Sequence, residues 1–210
     1  MWPGWLPWLL AAAVTAYPAY LDYRYREVPE HLWMLGGQAG AVVAFLTYSR
    51  LYPPRLLGLW YLFGAAAPAA AAAGVLTGSL GPGDLWAAIA LWLMVPAPPP
   101  GSLLPPPLLV VLWAAVLELA ARAAVSLRVC GGPGCLASAR VPCRLLRDMR
   151  WWFPVGADVA SDEPSEAVAR ACSGRPGDYE VRARPGMPFV TFILIALPLA
   201  YASEALIRVP

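Results

Sequence analysis

Two aspartates carry the spacing that could do chemistry. Asp22 stands at the end of a long apolar run, and Asp84 opens another, directly after Gly81-Pro82-Gly83. A carboxylate at the edge of a membrane-like helix is costly to place and marks a functional site by default. Two carboxylates within about 3–5 Å of each other cannot both ionise easily, so they share a proton. Such a pair can activate water: the ionised partner takes its proton while the protonated partner donates to the carbonyl under attack. The pair titrates as a unit, so neither Asp22 nor Asp84 is assigned as acid or base. Gly81 and Gly83 permit positive φ and the close approach of another backbone, as an extended peptide beside the carboxylates would need. The plain structural alternative is an ordinary turn with Asp84 as a helix N-cap, and Asp22 as an interfacial residue at a helix end.

The elements that must position them read as membrane helices. The chain has 210 residues, of which 60% are hydrophobic and 13% charged. A soluble domain is about half apolar and a quarter charged, so the composition predicts an integral membrane protein. Six apolar segments are predicted as spans: residues 5–21, 32–48, 56–76, 85–95, 103–125 and 188–207. A span needs about 17–25 residues. The fourth segment has about 11, roughly 17 Å of helix against a hydrocarbon core of roughly 30 Å. This predicts that Asp84 lies in a water-filled notch, unless the Pro-rich 96–107 connector dips in from the far side. Pro68 is predicted to kink the third span. No Arg or Lys precedes Arg24, so residues 5–21 read as a retained span and not as a signal peptide.

The expected fold is therefore an all-α integral membrane protein with six transmembrane helices. The expected organisation is 1–125 as spans one to five with the aspartates, 126–186 as a hydrophilic loop or small soluble domain, and 187–210 as the last span. Within the middle segment, residues 145–153 could form an interfacial amphipathic helix, with Trp151 and Trp152 at head-group level. All fifteen basic residues are arginine. Eleven fall in the loops after spans one, three and five, against three on the other side. The positive-inside rule then puts 126–186 and both aspartate-bearing helix ends in the cytoplasm, since two spans separate Asp22 from Asp84. Glu118 is a third candidate carboxylate, or simply the i,i+4 partner of Arg122.

Cys130, Cys135, Cys143 and Cys172 lack the paired C-x2-C spacing of a zinc ribbon, so a disulfide or free thiols are expected and no metal site. No basic face with interleaved aromatics points to nucleic acid.

Residues 22–29, Asp-Tyr-Arg-Tyr-Arg-Glu-Val-Pro, together with Gly81-Pro82-Gly83-Asp84, resemble the two motifs of the type IV prepilin peptidases. The run Arg26-Glu27-Val28-Pro29, and 185–189 before the last span, are similar to the archaeal preflagellin (archaellin) branch of that family of GxGD membrane aspartyl proteases. The resemblance covers residues 16 to about 95 and the last span, not 126–186. It implies a cytoplasmic-membrane endopeptidase, with its active site facing the cytoplasm, that removes leaders from pilin-like or archaellin precursors. It implies Asp22 and Asp84 as the catalytic pair, and no cofactor. The bacterial members' zinc-binding C-x2-C segment is missing here, which puts methyl transfer in doubt. The expected partners are such precursors, each a basic leader before an apolar helix, and the lipid bilayer. Glu27 and Glu30 are either solvated charges or an attraction for that leader. Arg26 either anchors the loop or orients a carboxylate, and Pro29 belongs to the motif. Two alternatives stand beside this. One is a presenilin-like intramembrane protease, although Leu21 stands where that family has Tyr, and Ala196-Leu197-Pro198 where it has Pro-Ala-Leu. The other is a small transporter or scaffold with two membrane carboxylates.

Overall fold

The computed structural model describes residues 4–25, 28–77, 80–99, 104–130, 138–148, 152–155 and 164–206. In chain order its elements are α1 (Leu6–Tyr25), α2 (Glu30–Tyr48), α3 (Pro54–Gly64), α4 (Ala66–Leu76), α5 (Pro82–Met94), α6 (Pro106–Cys130), β1 (Ala139–Pro142), α7 (Cys143–Asp148), β2 (Trp152–Pro154), α8 (Pro164–Cys172), β3 (Glu180–Pro185) and α9 (Phe189–Leu206). They form two compact units. One is Met1–Leu117 with Phe189–Pro210, and the other is Glu118–Pro188.

The first unit is a helical bundle built around α5. This helix packs against α1, α2, α3, α4 and α9. Its inward positions are small or flexible, with Ala87, Ala90, Leu91 and Met94 all buried. The glycines of α2 explain how closely the helices meet. A Cβ on Gly40 would stand 2.3 Å from Met94 Cγ, and one on Gly37 3.3 Å from Ala90 Cβ. A Cβ on Gly36 would stand 2.4 Å from Val14 Cγ1 of α1. Small residues thus let three helices approach backbone to side chain, the packing that dispersion rewards where no water is displaced. These glycines serve the protein's own bundle and are not an open face for another helix. The helices α1 and α9 run antiparallel: Trp8 meets Tyr201 ring edge to face at 5.4 Å near one end, and Ala19 meets Thr191 near the other.

Pro68 interrupts the third apolar segment as expected. It has no N–H to offer the Gly64 carbonyl, and the helix breaks at Ala65, between α3 and α4. Taken together, residues 54–76 are long and apolar enough to cross a membrane, as are Pro106–Arg128 of α6. Little of either is buried within the protein, and Leu62, Leu76, Leu112 and Leu119 are well exposed. The helices Pro82–Met94 and Phe189–Glu204 are apolar but shorter.

The Pro-rich connector after α5 dips inward. Val95, Pro96, Ala97 and Pro98 are buried, and Ala97 joins Ala44, Tyr48 and Leu57 in a small core of its own. Prolines suit this path because they bring no amide donor to satisfy. The Pro98 carbonyl takes a hydrogen bond from the Tyr52 hydroxyl. The 13-residue α5 spans about 20 Å, and the buried connector extends its path.

The second unit is not purely helical. Strands β1, β3 and β2 form a three-stranded antiparallel sheet in that order, with Val141 opposite Val181 and Phe153 opposite Arg184. Its core joins Val141, Leu146, Trp152, Val168 and the Cys143–Cys172 disulfide. Gly174 takes φ +66°, the left-handed conformation that lets the chain turn away after α8. The interfacial helix over 145–153 is not formed: α7 ends at Asp148, and Trp152 is buried in β2 instead of standing at a head-group level. Trp151 lies outside the described residues.

Candidate active site

Asp22 lies inside α1, about one turn before its end at Tyr25, so it does not close the helix as expected from sequence. Its side chain is buried, with 7% of the residue exposed. Asp22 Oδ2 accepts the Val190 N–H at 2.9 Å. Val190 is in the first turn of α9, where backbone amides have no partner within their own helix and the helix dipole favours negative charge. One residue on, the Thr191 hydroxyl donates to the Ala19 carbonyl at 3.0 Å.

Asp84 is half-buried in the first turn of α5. The N-cap is Gly81, three residues earlier, which corrects the expectation that Asp84 itself holds that position. Asp84 Oδ2 accepts the Gly81 N–H at 2.8 Å, while the Asp84 N–H donates to the Gly81 carbonyl at 3.1 Å. This is the side-chain half of a capping box. The glycines do not use positive φ. Gly81 is extended at φ −86°, Gly83 is helical, and Gly174 alone has a positive φ among the described glycines. Close approach remains possible: nothing lies within 4 Å of where a Gly83 Cβ would stand.

The bundle puts the two aspartates at the same end. Only four residues separate α1 from α2, and Val14 lies against Gly36, so the two helices run antiparallel and Asp22, eight residues later, reaches the level of about residue 28. In α5, Ala90 lies against Gly37 and Met94 against Gly40, which makes α5 parallel to α2. Asp84, six residues before Ala90, therefore reaches the level of about residue 31. The axial offset is about three residues, or about 4.5 Å. The helices α1 and α5 also pack on one another directly.

The remaining motif positions divide. Arg26 and Glu27 lie outside the described residues. Val28 is half-buried against the bundle core. Pro29 is the N-cap of α2, and Glu30 is exposed in its first turn, where an acidic residue favours the helix. Glu118 is taken by Arg122 of the next turn, whose Nε donates to Glu118 Oε1 at 3.0 Å. Among the described residues no group of three or more His, Cys, Asp or Glu side chains is arranged to hold a metal.

Two features were not read from the sequence. The first turn of α9 is a partner of Asp22, and its only side-chain signal is the lone hydroxyl of Thr191. The second is the full burial of Glu204, a carboxylate the sequence already places near the far end of the last span. Its charge bears on Tyr52 in the segment after α2. Burial, and then Glu204, push the Tyr52 hydroxyl up from 10.0 to about 12. No family model matches the chain, and no curated protein or solved structure matches it significantly.

Proposed function

We propose that this protein is a multi-pass membrane aspartyl endopeptidase, similar to the type IV prepilin and preflagellin peptidases. It removes the leader from pilin-like or archaellin precursors at the cytoplasmic membrane face. One observation carries this best: Asp22 and Asp84 lie at the same end of one bundle, on helices that pack together, beside a glycine with open space around it. A water between the two carboxylates attacks the scissile carbonyl. One aspartate takes the water's proton and the other donates to the carbonyl oxygen. The open side of Gly83 admits the extended substrate backbone. The apolar surface of α3, α4 and α6, little of it covered by protein, faces lipid.

The non-enzymatic scaffold has an observation in its favour. Both carboxylates already serve helix ends, Asp22 at α9 and Asp84 at α5. Capping and catalysis are compatible, because a carboxylate has about four acceptor positions. The two proposals separate in one assay. Purified protein in vesicles is given a precursor with a basic leader and an apolar helix. Cleavage by the wild type, lost in both Asp22→Asn and Asp84→Asn, supports the peptidase. Full activity in either variant removes the pair.

A further inference from the structure

We propose that the first turn of α9 is a positioning device for Asp22, and that Thr191 is its positioning residue. This rests on the peptidase proposal for its consequence in catalysis, but not for its geometry.

The Val190 amide fixes one oxygen of the Asp22 carboxylate at 2.9 Å. A backbone amide holds its partner only as firmly as its own helix is held. The next residue supplies that hold, because the Thr191 hydroxyl bonds the Ala19 carbonyl at 3.0 Å. Ala19 and Asp22 are three residues apart, so they lie on one face of α1. The turn is thus tied to α1 at two adjacent points, one of them the carboxylate.

The choice of partner for Thr191 is informative. Hydroxyls within helices usually bond the carbonyl four residues earlier in their own helix. Thr15 does so to Ala11 at 2.7 Å, Thr47 to Val43 at 2.8 Å, and Ser203 to Leu199 at 2.8 Å. Thr191 sits too near the start of α9 to find such a carbonyl there, and it crosses to the neighbouring helix instead. Its neighbours Val190 and Ile193 are buried and hold α9 by packing. Valine at 191 therefore keeps the shape and removes only the cross-helix bond. Displacement of a catalytic group by about 1 Å costs about a hundredfold in rate, so a partial loosening of Asp22 is measurable.

The test uses the full chain in detergent, as wild type, Thr191→Val and Thr191→Ser. Two quantities are read. One is the rate at which dicyclohexylcarbodiimide modifies Asp22, by mass spectrometry, with Asp84 as the internal control. The other is precursor cleavage. Thr191→Val is expected to speed labelling of Asp22 and leave that of Asp84 unchanged. It is expected to lower kcat about tenfold with KM held. Thr191→Ser, which keeps the hydroxyl, is expected to restore both. Equal Asp22 labelling in wild type and Thr191→Val overturns the positioning role, whether or not the precursor is cut. A loss in Thr191→Val that serine fails to restore reflects packing and overturns it too. If the labelling behaves as expected while the wild type cuts no precursor, positioning is upheld and the peptidase proposal falls instead.

Discussion

Asp22 Oδ2 accepts the Val190 amide at 2.9 Å, so a side chain of the first helix closes the first turn of the last. Residues 168 positions apart are thereby joined at a buried point. The carboxylate has a structural duty whatever its chemistry, and substitutions must be chosen to separate the two.

Asp22→Asn separates them. The asparagine side-chain oxygen still accepts the Val190 N–H, but the group no longer ionises or exchanges a proton. The variant is expected to keep wild-type thermal stability and lose precursor cleavage. Asp22→Ala instead orphans a buried amide, which costs about 1–3 kcal/mol. Thermal unfolding of both variants in the same detergent checks this. Equal destabilisation by Asn and Ala would show that the observed bond does not hold the helices.

Glycine substitutions give the next contrast. A Cβ at Gly83 meets nothing within 4 Å, whereas one at Gly40 would overlap Met94. Gly83→Ala is expected to fold like the wild type and yet slow cleavage, since the added methyl stands where a substrate backbone would pass. Gly40→Ala is expected to destabilise the bundle by about 1–3 kcal/mol through overpacking. Melting curves and cleavage rates on the same preparations decide. A Gly83→Ala variant with unaltered kinetics would argue against substrate approach along that side.

The helices α1–α6 and α9 were legible because each falls in an apolar run, and Pro68 announced the break between α3 and α4. For the Pro-rich 96–107 connector the sequence left two paths open, and residues 96–98 take the one that dips inward, since prolines are easily buried without an amide donor. What was missed has physical reasons. The strands β1 and β3 were hidden by arginine: in Glu180–Pro185 the alternation Val181-Arg182-Ala183 offers few apolar positions. Trp152 looked like a head-group anchor because its sheet partner lies over thirty residues away. At the site, both carboxylates were visible as residues. The Val190 amide was not, because a backbone donor leaves no mark in the sequence.

Tyr52 predicts a pH dependence. Its hydroxyl donates to the Pro98 carbonyl, and burial with Glu204 raises its ionisation to about 12. The folded protein favours the neutral phenol more than the unfolded chain does. The associated stability is fully present below pH about 10 and is lost as pH rises through about 12. Ultraviolet titration of tyrosinate in the wild type and in Tyr52→Phe should differ by one late-ionising group. Stability curves of wild type and variant should converge above that range, and curves that stay parallel from pH 9 to 12 would count against it.

The Cys143–Cys172 bond closes a loop of 29 residues in a unit with a thin core. Constraint of such a loop contributes about 3–4 kcal/mol by chain-entropy reasoning. Both cysteines are buried in that core, so serine there also strands a hydroxyl. Cys143→Ser and Cys172→Ser are each expected to open residues 118–188 to limited proteolysis, and the double variant should be worse than either single one only by its second stranded hydroxyl, since one bond is lost in each. The bond also bears on orientation. The proposed orientation places this segment in the cytoplasm, where disulfides persist chiefly in hyperthermophiles. Thiol trapping in intact cells before lysis, followed by mass spectrometry, reads the state directly. The linked 143–172 peptide is expected in untreated cells. If both cysteines are trapped as free thiols and the segment resists protease equally, the bond is not what holds this unit together.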